Sequence, residues 1–74
     1  MQANDHVAFY NLGVAYARKE QLDAAIASFQ KALKIKPDYY KALYNLGLAY
    51  DLKGQRDEAI ACFQKALKIK PDFP

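Results

Sequence analysis

The ten residues Phe29–Asp38 read FQKALKIKPD, and the same ten return unchanged at Phe63–Asp72. Outward from that pair the likeness continues at the same offset, YNLG at Tyr10–Gly13 recurring at Tyr44–Gly47. Sliding the chain by that offset lays His6–Tyr39 on Tyr40–Phe73, and about two thirds of the aligned pairs are identical. Two repeats thus cover nearly the whole chain, so repetition is the architecture. The organisation reads as a lead and cap over residues 1–5, a first repeat over 6–39 and a second over 40–73.

Each repeat carries the spacing of two helices. Phe9, Leu12 and Tyr16 fall at i, i+3 and i+7, one face of a helix, and Ile26, Phe29 and Leu33 repeat that spacing. No run shows the strict period of two that a half-buried strand needs. Asn4 and Asp38 stand just before the first helices, as N-caps do. Asp23, Asp57 and Glu58 come early in the second helices, and Lys31, Lys34, Lys36, Lys65, Lys68 and Lys70 come late, which suits the helix dipole. Pro37 and Pro71 stop those helices. Helices are predicted at about 5–18, 22–35, 39–52 and 56–69.

Small residues set how the helices meet. A glycine inside a helix costs about 1 kcal/mol, yet Gly13 and Gly47 sit mid-helix. Close approach of the partner helix, near Ala25 and Ala59, is the expected return. Ala32 and Ala66 should let the second helix approach its next neighbour. Gly54 suits a left-handed turn between helices. Its counterpart is Glu20, so that turn should be slightly strained or differently shaped.

The pattern resembles the tetratricopeptide repeat, a helix–turn–helix unit of matching period. Phe9, Leu12, Gly13, Tyr16, Ala25, Phe29, Ala32 and Pro37 carry the resemblance in the first repeat. Leu43, Leu46, Gly47, Tyr50, Ala59, Phe63, Ala66 and Pro71 carry it in the second. Leu43, where the family favours Trp, and Glu20 depart from it. The resemblance implies an all-α right-handed solenoid of four helices whose first helices line a concave groove. In such proteins the groove usually holds a peptide segment of another protein.

Carried over position by position, the groove shows Val7, Tyr10, Asn11, Val14, Ala17 and Arg18 from the first repeat. The second gives Lys41, Tyr44, Asn45, Leu48, Asp51 and Leu52. Asn11 and Asn45 are expected either to bond the peptide backbone or to bridge adjacent helices. Val14 and Leu48 would pack apolar side chains of the peptide. Family members that bind the acidic C-terminal tails of heat-shock chaperones use a carboxylate clamp. Its first repeat supplies a Lys and an Asn where this chain has Tyr10 and Val14. Its second supplies an Asn where Asn45 stands, and a third supplies Lys and Arg. Only Asn45 matches, and Tyr and Val cannot make charge-assisted bonds, so those tails are not the expected ligand.

Composition removes other classes. Hydrophobic residues are 53% and charged residues 26%, as in a globular chain. No apolar run is long enough to span a membrane, and the first residues lack a secretory pattern. One cysteine, Cys62, excludes an internal disulfide and a thiolate-based zinc site, and fits a reducing, cytoplasmic setting. Eleven basic against eight acidic residues give +3, too little to indicate nucleic acid. Six lysines at the second-helix ends admit a basic stripe for nucleic acid, but dipole compensation explains their place and repetition. Catalysis has little support. His6 and Cys62 lie far apart in the sequence, at opposite ends of a solenoid, out of the contact a nucleophilic pair needs. Cys62 reads as a small packing residue. No cofactor, phosphate loop or metal-ligand spacing is expected.

A solenoid of this type usually closes with a polar capping helix, and none follows Asp72. The last helix keeps its apolar set, and Phe63, Leu67 and Ile69 are expected to form an uncovered self-association face. Two function readings follow: a module that binds a peptide segment of a partner, and a structural unit that associates with itself through open repeat ends.

Overall fold

Four α-helices follow one another: α1 Asp5–Arg18, α2 Leu22–Ile35, α3 Tyr40–Leu52 and α4 Arg56–Ile69. The computed structural model describes residues 5–72. The helix bounds agree with the sequence reading, save that α3 begins one residue later than expected. α1 pairs with α2 and α3 with α4 as hairpins, and α2 packs on α3 to join them, giving an all-α solenoid of two repeats.

The core follows the alanine and aromatic positions that recur from one repeat to the next. Ala25, Phe29, Ala32 and Ala42 are wholly enclosed, with Leu43, Leu46 and Ala49 beside them. Burying a side chain such as Phe29 contributes up to about 3 kcal/mol. The mid-helix glycines do serve a close approach, but not to the expected alanines. A Cβ on Gly13 would stand 2.6 Å from Cε1 of Phe29, and one on Gly47 would stand 2.6 Å from Cε1 of Phe63. Each phenyl ring lies flush on the backbone of its partner helix.

Helix starts differ from the reading. Tyr39 is the N-cap of α3, with φ −79° and ψ 88°, and it makes no side-chain cap bond. Asp38 sits one residue too early, inside the turn that follows Pro37. Its carboxylate pairs instead with Lys36 Nζ at 3.3 Å. Asn4 lies outside the described residues. The starts of α2 and α4 rest on Gln21 and Gln55, also without side-chain cap bonds. Their acidic first turns remain the favourable dipole element.

The two intrahairpin turns share one shape. Gly54 has φ 84° and Glu20 has φ 62°, both left-handed. Glu20 N–H donates to Ala17 at 2.9 Å and Gly54 N–H to Asp51 at 2.9 Å. Of the two expectations for Glu20, strain is therefore the one realised, because the backbone keeps the turn despite a Cβ.

Side chains also tie the repeats together. Lys53 Nζ pairs with Asp23 Oδ1. Gln30 Nε2 donates to the Tyr50 hydroxyl at 3.1 Å, and Asn45 Nδ2 donates to the Tyr10 hydroxyl at 3.2 Å.

Candidate functional site: a protein-binding face

At 3.6 residues per turn, Lys41, Tyr44, Asn45, Leu48 and Leu52 fall on the side of α3 turned away from Leu43, Leu46 and Tyr50. Tyr10, Asn11, Val14 and Arg18 occupy the matching side of α1. α1 also touches α3 directly. The expected face is therefore shared by two neighbouring first helices.

Its two halves differ in depth. Tyr10, Val14 and Ala17 are half-buried against the core, so α1 supplies a floor. Leu48 is exposed and Leu52 is 71% exposed, so α3 supplies an apolar ridge that protrudes. Arg18 and Lys41 are exposed at its edges. Asp51 is held by Arg56, with Nε 3.7 Å from Oδ1. Asn11 is exposed on α1.

Asn45 realises the bridging alternative. Its Nδ2 donates both to the Tyr10 hydroxyl and, at 2.9 Å, to the Lys41 carbonyl one turn earlier. A side-chain amide has two N–H donors, and both are taken up. Toward a peptide, Asn45 offers only its carbonyl oxygen, an acceptor for a backbone N–H. Tyr10 is further fixed by its neighbours, its ring centre 6.0 Å from Phe29 and 5.3 Å from Tyr39. Burial pushes the Tyr39 phenol up, and Tyr10 and Tyr40 add to the rise. His6 meets Tyr39 edge-on at 5.0 Å, so it is part of this aromatic packing.

On the other side of α3, a groove of about 410 Å³ opens between α2 and α4 over Leu43, Leu46 and Tyr50. Cys62 lies in its wall and is buried. Burial pushes its thiol up; Lys65 opposes that shift and Glu58 adds to it. That is the packing role expected of it.

Three of the six late lysines have local partners. Lys31 lies over the Phe9 ring at 5.6 Å and Lys70 over Tyr40 at 5.8 Å. Lys36 and Lys70 pair with Asp38 and Asp72. Such local use supports the dipole and solubility reading of the lysines.

The residues expected at an uncovered end separate. Phe63 is half-buried, its ring turned onto Gly47 and 5.6 Å from Tyr44. Leu67 is exposed. Ile69 is 41% exposed, but its counterpart Ile35 is 37% exposed even though α3 packs on α2. Ile69 therefore does not mark a missing neighbour. Ile60 does: it is 52% exposed, whereas Ile26, its counterpart under α3, is 9% exposed. Comparing each position with its copy in the other repeat is the signal that finds Ile60.

No helix among the described residues is long and apolar enough to cross a membrane, and no cluster of metal-ligating side chains occurs among them. The tetratricopeptide repeat profile matches residues 6–39 and 40–73, the two units read from the sequence. Among solved structures, the crystal structure of MamA superposes with a TM-score of 0.86 at 41% identity, over 89% of this chain and 39% of that one. A second MamA crystal structure gives 0.82 at 41% identity, over 89% of this chain and 36% of that one. The chain thus spans well under half the length of these structures. A comparison with curated proteins found no match. The chain belongs to the tetratricopeptide repeat family, a non-catalytic module whose repeats generally mediate contacts between proteins.

Proposed function

We propose that the chain binds an extended peptide segment of a partner protein across the shared face of α1 and α3. The observation that carries this reading is the exposed pair Leu48 and Leu52, standing beside a floor of Tyr10 and Val14. An isolated exposed leucine means little. Two on adjacent turns next to half-buried aromatic surface form a ledge for an apolar side chain. Asn45 adds one acceptor for a peptide N–H, at a position already fixed by its bonds to Tyr10 and Lys41. Asn11, Tyr44, Arg18, Lys41 and Asp51 complete the rim. Tyr10 and Val14 leave the face without the charges an acidic chaperone tail requires, so we place those tails outside its ligands. The same reading makes the chain a binding unit without an active site or cofactor, working in the cytoplasm on neither nucleic acid nor membranes.

Two repeats present less surface than a standard interface, so affinity should be weak. The test is a displayed random-peptide library selected on the chain, followed by titration of the selected peptides. Leu48→Glu should weaken their binding about tenfold or more, the equivalent of losing one buried leucine contact. Ala27→Gln, on the exposed side of α2, should leave it unchanged. Selected peptides that all ignore Leu48→Glu would overturn the assignment of the face.

A further inference from the structure

We propose that the groove between α2 and α4 takes an aromatic side chain from an extended segment of a partner protein, set between an acidic and a basic residue. The groove lies across α3 from the Leu48 and Leu52 ledge. It is therefore a second binding surface, separate from the peptide-binding reading above.

The two repeats depart from each other at this groove. Leu43 stands where the first repeat has Phe9, Glu58 where it has Ala24, and Cys62 where it has Ser28. In the first repeat Lys31 lies over the Phe9 ring at 5.6 Å. In the second the ring is absent, and Leu43 and Lys65 line a groove of about 410 Å³ with Leu33 and Pro37 of α2. Leucine is shorter than phenylalanine and has no π face, so Lys65 lacks the seat that Lys31 keeps. A ring entering from outside replaces the missing one and offers its face to the Lys65 ammonium.

Charge selects what flanks the ring. Glu58 and Lys65 both line the groove and stand two turns apart on one side of α4, about 10 Å along its axis. Neither has an ion-pair partner among the described residues. About three residues of extended chain cover that distance, so a basic side chain meets Glu58 and an acidic one meets Lys65, with the ring between. The Lys65 ammonium has three N–H donors, enough to bond a carboxylate while its charge faces the ring. A single free ring cannot reach both poles, so a protein segment is the occupant. The groove belongs to the join of the two repeats and not to an outer face. Ala27 and Lys31, the counterparts of its wall residues Ala61 and Lys65, stay exposed although α3 packs on α2. A helix stacked on α4 in the same way would therefore leave the groove open.

The probes are capped peptides carrying Lys-Trp-Ala-Glu or the reverse order Glu-Ala-Trp-Lys, each with an analogue that has Leu in place of Trp. The chain has no tryptophan, so the peptide's indole fluorescence reports binding as the chain is titrated in to the millimolar range. At least one order should bind, and its Leu analogue should compete about tenfold less well. Leu43→Phe, which installs the residue of the first repeat, should fill the groove and weaken binding about tenfold or more. Lys65→Glu, at an exposed position, should weaken it roughly threefold or more. Leu48→Glu should leave it unchanged, which separates this surface from the ledge. Circular dichroism checks that helix content is kept; should Leu43→Phe lose helix, Lys65→Glu decides alone. No binding by either order, or equal competition by the Leu analogue, would overturn the proposal. So would binding kept by a folded Leu43→Phe or by Lys65→Glu, or binding that Leu48→Glu abolishes, which indicates the α1 and α3 ledge instead.

Discussion

A methyl group at residue 13 would meet the Phe29 ring at 2.6 Å, and that ring is wholly enclosed. It has nowhere to move without displacing other buried groups. The same methyl at residue 47 would meet Phe63 at the same distance, but Phe63 keeps an open side and can tilt away. Replacing glycine by alanine also returns about 1 kcal/mol of helix propensity. Overpacking typically costs about 1–3 kcal/mol, so the two substitutions should separate. Gly13→Ala should destabilise by about 2 kcal/mol, and Gly47→Ala should lie near neutral. Urea denaturation of the two variants checks the difference. The glycines were legible in the sequence as close-approach positions. Their partners were not, because helix spacing places Ala25 and Phe29 one turn apart on the same side of α2 and leaves open which of them the glycine faces.

Between helices, the informative element is the turn that α1 and α2 share with α3 and α4. Backbone hydrogen bonds hold both turns in one shape, and only the residue at the left-handed position differs. A side chain there costs roughly 1–2 kcal/mol, and part of that is recovered because glycine is freer in the unfolded chain. Glu20→Gly should therefore raise stability by about 0.5–1 kcal/mol. Gly54→Glu should lower it by a similar amount, since nothing lies within 4 Å to compensate. Thermal melts of the two variants give the check. Helix ends were readable from Pro37, Pro71 and the apolar period to within one residue. The caps were not, because Asp38 is taken into the turn after Pro37 and leaves Tyr39 at the helix start.

Over the whole molecule, 33 × 28 × 18 Å in extent, each helix is stabilised chiefly by its sequence neighbours, as in any short solenoid. α2 and α3 have helices on two sides, and α4 packs on α3 alone. The repeat period made the fold legible almost completely, because two matching copies leave little freedom in pairing. The candidate face was legible as a set of positions only by resemblance. What those positions do with their polar atoms was not, since the Asn45 bond to Tyr10 spans the repeat boundary and depends on the angle between helices. The end faces fall between these cases. Apolar period alone selects Phe63, Leu67 and Ile69. Separating them requires knowing that Phe63 turns inward onto Gly47 and that Ile35 stays open under α3.

The single thiol gives the molecule an internal clock. Cys62 is buried in the wall of the groove between α2 and α4, on the helix with fewest neighbours, so local loosening of α4 widens a disulfide reagent's access to it. Such local openings occur well below the free energy of global unfolding. The raised thiol pKa means burial favours the protonated form. That contribution is full below the unfolded thiol's value, near pH 8.5, and fades as pH rises through the folded one. At neutral pH, labelling should be slower than for the urea-unfolded chain, and it should accelerate above about pH 8.5 by more than the reagent's intrinsic pH dependence.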